Sequence, residues 1–299
     1  MSNLLNFIDK VAVITGAGRG LGREYAMLLA SRGASVVVND LCANDHSSSD
    51  ATKLVKQIEH SGGKAIADHN SVEDGQKIVQ TAIDKFGRID ILINNAGILR
   101  DKSILKMTDD DWDQIYRVHL RGSFVTTRAA WTHFRDQSYG RVIMTSSPSG
   151  IYGNFGQANY SAAKLGLLSL ARTLAIEGEK YNIKCNTIVP VAATRMTEDI
   201  FPDEMKDRFN PKYVAPMVGY LCHETCPVNG EAFEAAAGYF GQYRWQRSKG
   251  KVFEKPEQVS IEDIDKSWNE LTDWKESTNP NSMQDHMMTL FDQIATNDN

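Results

Sequence analysis

Val11-Ala-Val-Ile-Thr15, followed at once by Gly16-Ala-Gly-Arg-Gly20-Leu-Gly22, is the stretch on which the fold turns. The first five residues form a short β-branched, apolar run that reads as a buried strand. The spaced glycines let the chain turn tightly, and the pattern from Arg23 to Ser31 predicts a helix leading out of that turn. Strand, glycine turn and helix N-terminus together can receive a pyrophosphate, because glycines allow close backbone approach and the helix end supplies N–H groups. A second apolar run, Ala34 to Val38, ends at Asn39-Asp40, about twenty residues beyond the glycines. An acid there accepts hydrogen bonds from a ribose hydroxyl. The segment therefore predicts a dinucleotide site, with Gly16, Arg19, Gly20, Leu21 and Gly22 in its turn and Asp40 at its far edge.

The same alternation continues down the chain. Lys53 to Ser61 has helical spacing and stops at Gly62-Gly63. A third strand begins at Ala65 to Ala67 and leads into His69-Asn70-Ser71, and Val72 to Lys85 reads as another helix. Ile89 to Ile93 is an apolar strand flowing into Asn94-Asn95-Ala96-Gly97, which places that tetrad near the cofactor at the carboxyl end of a sheet. Thr108 before Asp109 to Asp111 is a helix start with a cap and acids in the first turn. Val142 to Thr145 is the strand that presents Ser146, Ser147 and Ser149, and Ile183 to Val189 carries a sixth. Such alternation predicts an α/β fold, a doubly wound parallel sheet of Rossmann type. Met196 to Phe209 is expected as a helical lid, Pro211 to Cys222 as a further helix, and Gly230 to Gly241 as closely packed backbone.

Tyr160 and Lys164, in Asn159-Tyr-Ser-Ala-Ala-Lys164, lie one helical turn apart and share a helix face. An ammonium near a phenol favours the phenolate and lowers a tyrosine pKa from its usual value of about 10. A phenol so poised exchanges a proton with an alcohol or carbonyl near neutral pH. Alone, this pair is common on solvated helix surfaces. Here Ser147 stands thirteen positions before Tyr160, with Ser146 as the competing hydroxyl, and the dinucleotide segment precedes both.

Gly16-x-x-x-Gly20-x-Gly22, Asn94-Asn-Ala-Gly97 and Tyr160-x-x-x-Lys164 together resemble the short-chain dehydrogenase/reductase family over residues 8 to 200. The resemblance implies that Ser147 polarises the substrate oxygen and Tyr160 is the acid/base. It also implies that Lys164 lowers the pKa of Tyr160 and holds the nicotinamide ribose. Asn94, Ala96 and Gly97 would support the strand and the adenosine side. Asn70, with Ser71 beside it, stands where the family commonly has an adenine-contacting Asp. Two departures appear. His119, in Val118-His-Leu-Arg-Gly122, replaces an Asn that positions a water in the family's proton relay; a relay histidine and a packed one both remain open. Pro190-Val-Ala-Ala-Thr194 replaces the usual Pro-Gly, with Thr194 still where a hydroxyl meets the nicotinamide carboxamide.

Longer stretches, such as Tyr116 to Phe124 and Ser149 to Tyr160, resemble the (3R)-hydroxyacyl-CoA dehydrogenase branch of that family. This implies a small-molecule acyl-CoA substrate, with a steroid-like or other bulky alcohol as the alternative, and a homodimer or homotetramer. A non-catalytic NAD-binding scaffold is the reading from another class. Asp40 would repel a 2′-phosphate and so favours NAD, whereas Arg19 points toward NADP; the acid at the ribose edge acts more directly, so NAD is expected.

The chain has 299 residues, a net charge of −5 and four cysteines. Mild acidity gives no general affinity for nucleic acid or membrane, and no apolar run is long enough to span a bilayer. Cysteines without a disulfide framework suit a reducing compartment, and Cys222, His223 and Cys226 lack a second pair to complete a metal site, so none is expected. Without a leader or a terminal address, a cytoplasmic location is expected. Residues 1–240 are read as the Rossmann domain and 241–299 as an extension of short amphipathic helices, serving either a substrate groove or a dimer contact.

Overall fold

The computed structural model describes residues 4–42, 46–197 and 201–295. Its strands are β1 (Val11–Ile14), β2 (Ser35–Asn39), β3 (Lys64–Asp68), β4 (Ile91–Asn94), β5 (Gly140–Thr145), β6 (Ile183–Val191), β7 (Ala232–Ala236) and β8 (Tyr239–Tyr243). They form one sheet in the order β3-β2-β1-β4-β5-β6-β7-β8, and every pair from β3 to β7 is parallel. β8 returns across Ala237 and Gly238, whose φ angles of 48° and 88° are both left-handed; so short a link joins antiparallel neighbours. The last two strands fall where sequence suggested only close-packed backbone. Ala232–Ala236 has little intrinsic strand preference, and its pairing with β6 from Thr187 to Val191 overrides that.

The helices of this unit are α1 (Gly20–Ser31), α2 (Asp50–His60), α3 (Gly75–Phe86), α4 (Asp109–Ile115), α5 (Gly122–Gln137), α6 (Pro148–Tyr152), α7 (Ala158–Gly178), α8 (Asp203–Lys206) and α9 (Ala215–Cys222). Successive strand residues face opposite sides, and the sheet uses both. Ala12 and Ile14 meet Leu29, Leu54 and Val218 from α1, α2 and α9, while Val11 and Val13 meet Ile78, Phe134 and Leu167 from α3, α5 and α7. Each fully buried Ile or Leu in these layers contributes about 1.5–3 kcal/mol, and burial on both faces explains why the strands read as continuous apolar runs. The expected lid helix over Met196 to Phe209 is reduced to the four residues of α8; residues 198–200 lie outside the described ones.

Strand order reverses between β1 and β4, so the loops after β1, β4 and β5 open into one crevice at the carboxyl ends. From Tyr243 onward the chain forms a second compact unit, containing α10 (Ile261–Leu271) and α11 (Met283–Ala295). A capping box of Ser260 and Asp263 starts α10. An antiparallel bridge between Arg247 and Thr278, with ion pairs Lys249–Glu276 and Lys251–Glu270, ties the unit's segments together.

Candidate active site

The glycine turn is shaped by contacts that only a missing side chain permits. Gly16 and Gly20 adopt φ of 61° and 53°, a region that favours glycine. A Cβ on Gly16 would stand 2.7 Å from Ala96 Cα, and one on Gly22 2.5 Å from the Gly16 carbonyl oxygen. The turn after β1 is thus seated on the loop after β4. Thr15 and Asn95, which the motif reading passes over, make that seat. Thr15 Oγ1 accepts the N–H groups of Asn95 and Ala96 at 3.0 and 3.1 Å, and Asn95 Nδ2 donates to the Thr15 and Gly16 carbonyls, both at 2.9 Å. Leu21 packs on the core from the first turn of α1. Thr194, in the loop following Pro190 and the end of β6, comes beside Gly20, 3.5 Å from where its Cβ would lie. Pro190 sits in β6 beyond Ile188, the last residue paired with β5, so its missing N–H breaks no bond on that side.

Asp40 is fixed by the turn it faces: the Gly18 N–H donates to its Oδ2 at 2.8 Å. Burial raises its pKa and that hydrogen bond opposes the rise. A backbone cradle that any Cβ would fill, closed by an acid at its far end, fits a dinucleotide whose pyrophosphate lies over Gly16 to Gly22 and whose ribose meets Asp40. The other adenosine-side residues are more committed to their own fold. Asn70 gives its amide N–H to Asp68 Oδ2 at 2.7 Å and its backbone N–H to Asp68 Oδ1 at 3.1 Å. Ser71 Oγ accepts the Glu73 N–H and caps a 3₁₀ turn. Asn94 is buried with Nδ2 donating to Thr127 Oγ1 at 3.0 Å, which ties β4 to α5. It supports the strand, and its neighbours Asn95 and Ala96 face the turn.

Ser147, Tyr160, Lys164 and His119 converge at the mouth of the crevice. Ser147, just after β5, caps α6: its Oγ accepts the Ser149 N–H at 3.2 Å and is also in hydrogen-bond contact with the Tyr160 phenol. The competing Ser146 is turned away, its hydroxyl donating to the Lys164 carbonyl at 2.7 Å. Lys164 is buried, donates from Nζ to the Thr145 carbonyl at 2.7 Å, and stands 5.4 Å from the centre of the Tyr160 ring. His119 lies in a π-helical turn, Tyr116–Arg121, between α4 and α5. Its ring meets the Tyr160 ring edge-on, centroids 5.3 Å apart.

Burial governs the charges here. It pushes the Tyr160 phenol up to about 12, against the lowering effect of the Ser147 hydrogen bond. The dominance of Lys164 over the phenol, implied by the family resemblance, is absent from this balance, because burial also brings Lys164 itself down to about 7. Among the described residues no group of His, Cys, Asp and Glu could hold a metal ion, and no helix is long and apolar enough to cross a membrane.

Comparison with known proteins adds a family to this geometry. The model of the short chain dehydrogenase family matches residues 10–205. Peroxisomal multifunctional enzyme type 2 of Mus musculus is 53% identical over 290 residues, covering 95% of this chain and 40% of that protein. A hydroxyacyl-CoA dehydrogenase of Mycobacterium tuberculosis is 38% identical over 254 residues, 78% of each chain. The structure of full-length peroxisomal multifunctional enzyme type 2 from Drosophila melanogaster matches with a TM-score of 0.85 at 44% identity, over 98% of this chain and 50% of that one. The chain therefore spans half or less of the length of these two multifunctional relatives. Both are named peroxisomal, which overturns the cytoplasmic location expected from sequence. That expectation drew on charge, on cysteine content and on reading neither a leader nor a terminal address in the sequence. Charge and cysteine content do not distinguish one compartment from another. With the glycine cradle, Ser147, Tyr160 and Lys164 in one crevice and the family model matching across them, the chain belongs to the short-chain dehydrogenase family, whose members are NAD(P)-dependent oxidoreductases.

Proposed function

We propose that this chain interconverts a (3R)-3-hydroxyacyl-CoA and the 3-ketoacyl-CoA, with NAD as its cofactor. The carrying observation is the convergence of Ser147 and Lys164 on Tyr160 beside a glycine turn closed by Asp40. The names of the multifunctional and hydroxyacyl-CoA relatives favour the thioester over a steroid. In the oxidative direction, Ser147, whose Oγ accepts the Ser149 N–H, turns its hydroxyl hydrogen from the Tyr160 phenol to the substrate C3 oxygen. Tyr160, as phenolate, takes the C3 hydroxyl proton, and in the reductive direction it returns that proton to the new alkoxide. Lys164, held by the Thr145 carbonyl close to the Tyr160 ring, is the group that in its protonated form would support the phenolate charge. Bound NAD would supply the hydride acceptor, held by Gly16 to Gly22, Asp40 and Thr194. The remaining work of these residues is orientation and electrostatic support.

A homodimer belongs to the same reading. Trp112, Tyr116 and Phe124 are exposed along the helical run from α4 to α5, an apolar face suited to a second copy; light scattering reads its mass directly. The decisive test is NADH formation from (3R)- and (3S)-3-hydroxybutyryl-CoA. Activity confined to the (3R) thioester, and reduced about 10²–10⁴-fold in Tyr160→Phe with NADH binding retained, is expected. Equal turnover by Tyr160→Phe would sink the acid/base role, and NADH binding without turnover of either thioester would leave the non-catalytic reading in its place.

A further inference from the structure

Asp40 is not the only acid at the glycine turn. Asp50, the first residue of α2, reaches it as well: a Cβ on Gly18 would lie 2.5 Å from Asp40 Oδ2 and 2.9 Å from Asp50 Cβ. Gly18 is therefore wedged between the Asp40 carboxylate and the Asp50 side chain. Asp50 forms an ion pair with Nε of Arg19, the one cation in the Gly16–Gly22 turn, while Lys53 stays at 4.0 Å from Asp50. Ser49 fixes Asp50 in that position by capping α2, its Oγ accepting the Thr52 N–H at 3.1 Å. Arg19 is half exposed and lies beside the acid that faces the ribose. A guanidinium so placed is the group a 2′-phosphate would recruit, through paired charge-assisted hydrogen bonds.

We propose that Asp50 is a specificity-determining residue: by pairing with Arg19 it withholds that guanidinium from a 2′-phosphate. The proposal rests on the NAD reading above. It resolves the conflict between Asp40 and Arg19 that the sequence poses, because Arg19 is present and already engaged. Arg195 also faces Asp40 and is the competing cation, so the test must show that the effect runs through Arg19.

Affinities for NADH and NADPH, read from the fluorescence of the reduced nicotinamide, need no knowledge of the substrate. Asp50→Asn keeps the Ser49 cap and releases Arg19; it is expected to raise the NADPH-to-NADH affinity ratio about tenfold or more, the worth of one charge-assisted contact. Adding Arg19→Ala to Asp50→Asn should bring the ratio back to within about threefold of the starting protein. A ratio unmoved by Asp50→Asn, or a gain that survives Arg19→Ala, overturns the role of Asp50 and leaves the NAD preference intact. A starting protein that binds NADPH as tightly as NADH refutes the NAD preference and this proposal together, and is seen before any variant is made.

Discussion

Gly97→Ala probes how tightly the cluster proposed as catalytic is packed, and its effect follows from one distance. An added methyl at Gly97 would sit 2.5 Å from Cε1 of His119 and 3.2 Å from its Nδ1. Carbon atoms settle about 3.5–4.0 Å apart, so the ring or the backbone must give by about 1 Å. The ring has little room to do so. It is buried, its Nε2 is bonded to the Ile98 main chain at 2.9–3.0 Å, and it packs edge-to-face with the Tyr160 ring. Overpacking of this kind costs about 1–3 kcal/mol. Loss of the Ile98 bond adds about 1 kcal/mol. A displacement of about 1 Å passed on to Tyr160 would lower turnover by about a hundredfold. Thermal unfolding and kcat with the (3R) thioester are the assays. Because the collision is with one ring, Gly97→Ala combined with His119→Ala should recover part of the lost melting temperature, whereas independent effects would add. A Gly97→Ala protein with unchanged melting temperature and kcat would refute the packing argument.

Two further perturbations test other parts of the site. Lys164 is brought down to about 7 by burial, so between pH 7 and 10.5 the unfolded chain holds a proton that the folded one lacks, and this group alone makes stability rise with pH. Relative to Lys164→Met, the natural protein should therefore gain up to about 1.4 kcal/mol per pH unit from pH 7 to 9, in denaturant titrations; parallel curves would dismiss the burial argument. Asn95→Ala removes both bonds to the Thr15 and Gly16 carbonyls, at a cost of about 1–3 kcal/mol, and should weaken NADH binding about tenfold; NADH affinity equal to that of the natural protein would mean the turn holds its shape without Asn95.

The first six strands and the closeness of Tyr160 to Lys164 were legible because each signal is local. β1 is a β-branched run, the glycines follow it directly, and Tyr160 and Lys164 are one helical turn apart. What escaped is set by partners far away in sequence. Asn95 matters through a turn some eighty positions earlier, and Asp68 matters because Asn39, Asn70 and Thr81 all converge on it. Ala232–Ala236 becomes a strand only because β6 offers it an edge. Burial is likewise invisible to a motif. The spacing of Tyr160 and Lys164 predicts an ammonium lowering a phenol, but it cannot say that both groups lie in a medium where each charged form is disfavoured.

His119 makes contacts that bear on both readings left open by sequence. Its Nε2 lies 3.0 Å from the Ile98 N–H and 2.9 Å from the Ile98 carbonyl oxygen. One nitrogen cannot accept from the first and donate to the second at once, so the two contacts belong to alternative tautomers. Nδ1 is buried and has no partner among the described residues. Burial, reinforced by the charge of Lys164, holds the imidazole down to about 3. As pH falls from 6.5 toward 3 the unfolded chain takes a proton that the folded ring refuses, so this residue costs stability in acid rather than supplying charge. Burial therefore disfavours an imidazolium at His119 at neutral pH. The roles that remain are those of a neutral ring: packing against Tyr160 and Gly97, or passing a proton by exchanging one tautomer for the other at Ile98. The π-helical turn is what makes either possible, since its extra residue aims the ring inward at Tyr160.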